Sequence, residues 1–353
     1  MSDEVEPTDA VVDQPDLSGM RASDAAGVPD AEATPSRDAA RVSVLTWVVR
    51  VVCVLALAVV AWVLVTAWQV VVHGHPAYAV LLGLTAVVAV LLLVRAWRRP
   101  REPRGWRRVV RVLLVVASIG WIAVLAWLKP FVAVEPALAA MNSDAAVTVV
   151  EYPTQIVMMP TGRVDATGVF FQPGARVDAR AYAAVLRPLA AAGHVVVITK
   201  QPLGIGFLAT TAFGGVQTAY PAVSRWIVGG HSLGGTVACI DANSHDGDAT
   251  DPVVGLLLYA SYPATDMSST LTAKVLSISG SNDGLATPAK IDAAKPLLPA
   301  STTYTVIEGA VHAFFGDYGP QPGDGVPTIT HDDARRQISA ASVSFAATIT
   351  GPP

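Results

Sequence analysis

The sequence predicts an α/β protein in which a mainly parallel sheet flanked by helices follows three transmembrane helices. The chain is 52% hydrophobic and only 15% charged, which is too apolar for an ordinary soluble protein of 353 residues. Three long apolar runs before residue 130 carry most of this excess. Beyond that point, short β-branched runs alternate with Ala-rich stretches and with Gly, Pro and Asp, a pattern typical of βαβ units.

Residues 1–41 are acidic and rich in Ala, Pro and Ser, with almost no apolar periodicity. Such a composition buries too little apolar surface to fold alone, so the segment is interpreted as a disordered acidic tail. Because this polar tail precedes the first apolar run, that run lacks the short basic start of a cleavable signal peptide. We therefore expect the run to stay in the mature protein.

The three apolar runs, residues 51–72, 77–94 and 109–128, each approach the ~20 residues with which a helix crosses a bilayer. A soluble helical bundle would show polar stripes every few residues, and these runs show none. Tryptophans cluster near the ends of the runs, where the headgroup layer favours them. Residues 42–130 are therefore predicted to be a three-helix membrane anchor, with the lipid bilayer as a partner.

Arginines crowd the loop between the second and third runs, while residues 73–78 contain no Lys or Arg. The arginines are Arg95, Arg98, Arg99, Arg101, Arg104, Arg107, Arg108 and Arg111. Loops rich in Lys and Arg stay in the cytoplasm, so the N-terminus is expected inside and everything after the third run outside. The same arginines suit anionic lipid headgroups. With a net charge of −4 and no other dense basic block, nucleic acid is not an expected partner.

Residues 141–353 are predicted to form a separate folded domain. The predicted strands are 147–152, 155–159, 169–172, 195–199, 226–229, 253–259, 274–279 and 304–308, and the predicted helices are 178–192, 233–242 and 332–348. The chain has two cysteines, Cys53 and Cys239, too few for a disulfide framework or a cysteine metal cluster. Since a phosphate-binding glycine loop is also missing, neither a metal nor another cofactor is expected.

A strand, a Gly-x-Ser-x-Gly turn and a helix follow one another around Ser232. This is the pattern of a nucleophile elbow, in which a strained turn projects a serine hydroxyl from the end of a strand. Gly230 and Gly234 let neighbouring backbone segments approach without a Cβ clash. Ser232 is therefore the predicted nucleophile, and the adjacent His231 is expected to pack beside it.

A serine nucleophile needs an imidazole to take its proton and a carboxylate to orient that imidazole. Asp283 follows the predicted strand 274–279, and His312 lies in the glycine loop after strand 304–308. The carboxyl ends of parallel strands share one edge of a sheet, so both loops are expected to meet Ser232. Asp266 is the rival acid, and its alternative role is to cap a helix.

The alkoxide that develops during acyl transfer needs two backbone N–H donors. We expect one from Leu233, directly after the nucleophile. The other is expected from the loop after the third strand, from Gly174 or Ala175, because Pro173 has no N–H. A plain strand-to-helix turn is the alternative interpretation of this loop.

At these residues the chain resembles the α/β-hydrolase superfamily and, within it, the bacterial group called α/β-hydrolase fold family 5. The motifs that carry the resemblance are Phe171 to Gly174, Lys200 to Leu203, Gly230 to Gly235, Ser261 to Pro263, Ser279 to Leu285, and His312 with Gln321 to Asp324 beyond it. Together they cover roughly residues 147–340. The resemblance implies the fold, the triad and carboxylic ester hydrolysis as the default activity, but no particular substrate.

The sequence thus predicts a membrane-anchored serine hydrolase that cleaves small carboxylic esters through an acyl-enzyme on Ser232. Two alternatives stay open. One is a cell-envelope acyltransferase, in which an alcohol accepts the acyl group; the other is a catalytically silent membrane binding module, against which the intact triad argues. The segment between Tyr262 and Lys274 is too short for a lid, so the site is expected to be open to short, soluble esters.

Overall fold

The computed structural model describes residues 43–98 and 105–350. The predicted acidic tail, residues 1–41, lies outside the described residues, as do Arg99, Arg101 and Arg104 of the arginine loop. The described part consists of three long helices followed by one eight-stranded sheet with a hydrophobic core on each face.

The three long helices are α1 (Val44–His73), α2 (Pro76–Arg98) and α3 (Trp106–Trp127). Each is long and apolar enough to cross a membrane, with mean hydropathies of 2.9, 2.7 and 2.5 over its most apolar stretch. Only 6% of that stretch in α3 is buried inside the protein. Its apolar side chains therefore face outward, where the hydrocarbon of a bilayer would cover them.

The helices α1 and α2 extend beyond the predicted runs because their ends pack together. Arg50 of α1 is buried, donates a hydrogen bond to the carbonyl of Ala96 at 3.0 Å, and lies over the rings of Trp47 and Trp97 at 4.7 and 4.1 Å. These contacts stabilise the Arg50 guanidinium within an otherwise apolar helix pair. It also holds the first turns of α1 against the last turn of α2.

The sheet follows the three helices. Its strands are β1 (Val147–Glu151), β2 (Gln155–Pro160), β3 (Thr167–Gln172), β4 (Val196–Thr199), β5 (Arg225–His231), β6 (Val253–Tyr259), β7 (Lys274–Gly280) and β8 (Thr303–Ile307). Their spatial order is β1-β2-β4-β3-β5-β6-β7-β8. β2 runs antiparallel to both of its neighbours, and the pairs from β4 to β8 are parallel. The prediction of a mainly parallel sheet with eight strands is confirmed.

The helices after α3 cover both faces of the sheet. They are α4 (Ala183–Ala191), α5 (Ala212–Ala219), α6 (Leu233–His245), α7 (Pro288–Ala294) and α8 (His331–Thr350). α4 and α8 pack together on one face, and α6 packs against β5 and β6. The sequence pattern does not predict α5 and α7, because helices this short do not complete an apolar repeat.

Residues 131–140, which connect α3 to the predicted domain, pack onto that domain. Phe131 forms an isolated bridge with Val177, and its ring centre lies 5.7 Å from that of Tyr318. Ala133 and Ala137 are buried. The core of the sheet domain therefore draws on residues ahead of 141 and begins directly after α3.

Candidate active site

Ser232 lies at the sharp turn between β5 and α6, with φ 53° and ψ −125°. A non-glycine residue with such a φ is strained, and strain of this kind is typical of a nucleophile elbow. The turn is tight: a Cβ on Gly230 would lie 2.4 Å from the backbone of Gly234. A Cβ on Gly234 would lie 2.2 Å from the carbonyls of Gln172 and Pro173, so glycine is required there for the loop after β3 to reach the elbow.

Asp283 and His312 form a hydrogen-bonded pair in the loops after β7 and β8. Oδ2 of Asp283 lies 2.8 Å from Nδ1 of His312, and both side chains are buried. Oδ1 of Asp283 accepts the backbone N–H groups of Leu285 and Ala286, each at 2.8 Å, which fixes the carboxylate. An ionised carboxylate can only accept, so the ring proton of His312 lies on Nδ1 and its Nε2 is left as an acceptor.

The nucleophile turn lies beside this pair. The ring of His231, the residue before Ser232, packs against the ring of His312 with centroids 4.5 Å apart. Among the described residues the Ser232 hydroxyl has no hydrogen-bond partner. Bonds between a nucleophile and its base are commonly long until a substrate binds. The structure thus brings the two loops and the elbow to one edge of the sheet.

Asp266, the rival acid, is exposed and makes its bond within its own loop. Its Oδ1 accepts the backbone N–H of Ser268 at 2.9 Å, and the hydrogen bonds from Ser268 lower the pKa of Asp266. This is the capping geometry expected of the residue in its alternative role, here in a turn and not a helix. No contact joins it to His312 in the described residues.

The predicted oxyanion loop contains one N–H that is already engaged. Gly174 donates its N–H to the hydroxyl of Tyr182 at 2.9 Å. The N–H groups of Ala175 and Leu233 have no hydrogen-bond partner among the described residues. Leu233 is the first residue of α6, where the helix dipole adds positive potential. Of the N–H groups considered, those of Ala175 and Leu233 are therefore unengaged in the described part of the chain, whereas that of Gly174 is not.

The hydroxyl of Tyr182 links the oxyanion loop to His231. It lies 2.8 Å from Nδ1 of His231 and has no other acceptor in the described part of the chain, so it donates its proton there. Burial lowers the pKa of His231 well below its ordinary value, with the nearby His312 adding to the effect. His231 is consequently neutral and serves as packing, as the sequence predicts.

A buried amide network supports the oxyanion loop from below. Nε2 of Gln201 donates to the carbonyl of Pro173 and to Oε1 of Gln172, both at 3.0 Å. Gln172 in turn donates to Oδ2 of Asp241 at 3.2 Å. Burial raises the pKa of Asp241 to about 7, because one amide donor does not replace the water that a carboxylate loses.

Asp324 holds the loops of Asp283 and His312 together, a role that the sequence does not reveal. Its Oδ1 accepts the N–H of Gly284 at 3.1 Å and that of His312 at 3.0 Å, and its Oδ2 accepts the N–H of Ala313 at 2.8 Å. The first donor belongs to the loop of Asp283, and the other two belong to the loop of His312. The only signal in the sequence is its place in the Gln321 to Asp324 motif.

Comparison with known proteins agrees with the fold of this region. Residues 168–336 match the family model described as "Alpha/beta hydrolase family". This stretch contains the elbow and the loops of Asp283 and His312, and it has an α/β-hydrolase-like fold, as the resemblance implies. No curated protein matches the sequence.

Similar solved structures include hydrolases and esterases of low sequence identity. A thermostable esterase from Pseudomonas putida is 16% identical, with 62% of this chain and 88% of that one covered and a TM-score of 0.43. Carboxyl esterase 2 from the fungus Tuber melanosporum is 11% identical, with 63% and 91% covered and a TM-score of 0.44. An α/β serine hydrolase homologue from Coxiella burnetii is 14% identical, with 58% and 99% covered and a TM-score of 0.40.

Proposed function

We propose that the protein is a membrane-anchored serine hydrolase that cleaves carboxylic esters through an acyl-enzyme on Ser232. The Ser232 hydroxyl attacks the acyl carbonyl and gives its proton to Nε2 of His312, which returns it to the departing alcohol as the ester bond breaks. Water, deprotonated by the same imidazole, then releases the carboxylic acid and restores the serine. Asp283 orients His312 and stabilises the imidazolium that forms in both steps.

One observation carries this proposal: the buried 2.8 Å hydrogen bond between Asp283 and His312, beside a strained Ser232. A carboxylate bound to Nδ1 leaves Nε2 of the imidazole as a base, which is what a serine hydroxyl requires. Asp283 is the proposed acid, since Asp266 engages its own loop.

The proposed oxyanion donors are Leu233 and Ala175. Of the two candidates in the loop after β3, Gly174 already donates to Tyr182, whereas the N–H of Ala175 has no partner among the described residues. A donor that must first break a buried bond would stabilise the alkoxide less than a free one. Gly174 then keeps the loop in place, and Ala175 contacts the substrate.

The arginine asymmetry supports an orientation with the hydrolase domain on the extracytoplasmic side. Arg95 and Arg98 end α2, and Arg107, Arg108 and Arg111 lie in the first turns of α3. Positive residues of this kind are retained in the cytoplasm. With three crossings, the chain after Trp127 emerges on the other side.

Labelling of intact cells with a membrane-impermeant fluorophosphonate tests the nucleophile and the side of the membrane together. We expect the full-length protein to be labelled in intact cells, and the Ser232→Ala variant to remain unlabelled. Ser269→Ala, which changes an exposed serine, is the matched control and should be labelled as the wild type is. Labelling of Ser232→Ala would overturn the nucleophile assignment, and labelling only after lysis would reverse the orientation.

A further inference from the structure

The third span ends against the oxyanion loop. The guanidinium of Arg176, one residue after Ala175, donates a hydrogen bond to the carbonyl of Trp127, the last residue of α3. The same guanidinium lies over the rings of Trp127 and Phe131, at 4.6 and 5.2 Å. A single side chain therefore separates the end of a membrane-spanning helix from the loop that holds a proposed oxyanion donor.

The loop after β4, residues 201–209, connects the anchor to the nucleophile helix. Leu203 and Ile205 pack against the cluster in which the outer parts of the three long helices meet. The carbonyl of Gly204 accepts the N–H of Arg176 at 2.6 Å. A Cβ on Gly206 would lie 3.0 Å from Val237 of α6, the helix that begins directly after Ser232. The loop thus lies between the anchor and the elbow.

The hairpin of α1 and α2 rises along the same side of the domain. Nζ of Lys129, just after α3, lies 5.3 Å from the ring centre of Trp62, which marks the height on α1 at which α3 ends. Residues 63–73 continue α1 beyond that height by about 16 Å, at a rise of ~1.5 Å per residue. At the tip, His73 contacts Glu151 at 3.0 Å and Lys200 contacts the same carboxylate at 2.8 Å.

Two apolar side chains of the loop 201–209 remain uncovered. Phe207 is 49% exposed and Leu208 is 55% exposed, while Leu203 and Ile205 of the same loop are packed against the helices. Trp127, at the end of α3, is 56% exposed. Exposed aromatic and aliphatic residues next to the end of a span are typical of the boundary between headgroups and hydrocarbon.

From this arrangement we infer that the catalytic edge faces the outer leaflet and that the substrate is the acyl ester of a membrane lipid. This inference rests on the proposed function. The carboxyl ends of the strands carry Ser232, and the loops at that edge are the ones that meet the anchor. An ester group near the headgroup layer reaches the elbow, while its acyl chain stays in the leaflet beside Phe207 and the end of α3.

The sequence alone favours a different substrate class. The stretch 260–273 contains no helix, so no lid covers the site from that side, and the sequence therefore predicts short soluble esters. A site that opens toward a bilayer needs no such lid, because its substrate arrives along the membrane surface. The two substrate classes make opposite predictions for a protein reconstituted in lipid.

Hydrolysis by the full-length protein in lipid nanodiscs separates these classes. The two probes are a diacylglycerophospholipid with one fluorogenic acyl chain, placed in the nanodisc, and 4-methylumbelliferyl butyrate in the buffer. In the double variant Phe207→Ser, Leu208→Ser, the ratio of lipid to soluble turnover should fall by at least about tenfold, because two apolar contacts with the acyl chain are lost. Val306→Ser, at an equally exposed apolar position on β8, should leave the ratio unchanged.

Each other outcome has a distinct meaning. An unchanged ratio in the double variant, or cleavage of the soluble ester alone by the wild type, would overturn the lipid inference and leave the proposed hydrolase standing. Cleavage of neither probe, together with failure of Ser232 to react with fluorophosphonate, would overturn the proposed function itself. A Tm of the double variant equal to that of the wild type excludes unfolding as the cause.

Discussion

Two aspartates support the two halves of the site, and they are held in opposite ways. Asp324, behind the acid–base loops, accepts four backbone N–H groups at 2.7 to 3.1 Å and is half-buried. Asp241, behind the oxyanion loop, is 2% exposed and accepts one side-chain amide at 3.2 Å. A carboxylate with a single donor in a buried site favours its proton, which is the situation of Asp241.

The difference shows that each half of the site uses the charge that its surroundings can stabilise. The acid–base half is crossed by backbone N–H groups from the loops after β7 and β8, so a carboxylate can cross-link them. The oxyanion half is built from Gln172, Gln201 and Tyr182, all neutral, and from a cation shared with the anchor. Replacement of an aspartate by asparagine should therefore impair the acid–base half, at Asp324, and stabilise the oxyanion half, at Asp241.

The largest expected effect comes from the acid itself. Asp283→Asn should lower kcat by at least about a hundredfold while the fold is kept. The asparagine amide can donate a hydrogen bond to Nδ1 of His312, which favours the tautomer with its proton on Nε2 and leaves no base for Ser232. In a serine protease the corresponding substitution lowers turnover by about 10⁴, which sets the scale of the effect. Steady-state kinetics with a soluble ester and a Tm measurement provide the test.

Asp266→Asn is the matched control for this change, because it removes a carboxylate from the neighbouring loop. It should alter kcat by only a fewfold, since this carboxylate accepts hydrogen bonds from Ser268 in its own exposed loop and its loss falls on local stability. If Asp266→Asn were the inactive variant and Asp283→Asn the active one, the assignment of the acid would move to Asp266.

A smaller effect is expected when the cross-link between the acid–base loops is weakened. Asp324→Asn should reduce kcat by roughly tenfold with little change in KM, because charge-assisted bonds to Gly284, His312 and Ala313 become weaker bonds to an amide. The rate of fluorophosphonate labelling should fall in parallel, as it reports on the same base. A change confined to Tm, with kcat and labelling intact, would show that Asp324 supports the fold alone.

The smallest effect on activity is expected from substitution of Asp241. This substitution should also stabilise the protein, whereas the others should not. Its pKa is about 7 in the folded protein against 3.8 as the ordinary value, so the folded state binds a proton that the unfolded state has lost between these two pH values. Stability from this group is therefore present at low pH and is lost as the pH rises through 7. Above pH 7 the buried anion costs at most roughly 4 kcal/mol.

Asp241→Asn removes that cost and keeps an acceptor for Gln172. The variant should gain Tm relative to the wild type, with a larger gain at pH 8 than at pH 5, as followed by thermal unfolding of the full chain in detergent. The gain should be absent in Asp324→Asn, which loses a well-supported anion. A loss of Tm in Asp241→Asn that grows with pH would contradict the protonated state of Asp241.

The elements that carry the site can be predicted from the sequence because each leaves a local signal. The elbow around Ser232 has its strand, its glycines and its helix within a short stretch of neighbouring positions, and the Asp283 and His312 loops each follow a β-branched strand. Parallel pairing then brings the ends of these strands to one edge, whatever the details of packing. The eight strands are predictable for the same reason.

The supporting contacts cannot be predicted in this way, because they join segments far apart in the chain. Asp324 meets Gly284 across 40 positions, and Gln172 meets Asp241 across 69. The engaged state of Gly174 depends on where the hydroxyl of Tyr182 points, which only the fold decides. The packing of the three long helices on the loop after β4 likewise leaves no local signal in the sequence, because Leu203 and Ile205 look like ordinary apolar residues there.

The short passage from Trp127 to Phe131 limits how far the sheet domain can lie from the end of α3. At ~3.3–3.6 Å per residue, four extended residues reach about 14 Å, and Phe131 is already joined to Val177. There is thus no slack to act as a tether, and the helices and the domain must diffuse and rotate as one body. Under the proposed membrane anchoring, the catalytic edge stays at one height and meets its substrates by lateral diffusion, so the surface density of an ester would set its turnover more directly than a bulk concentration.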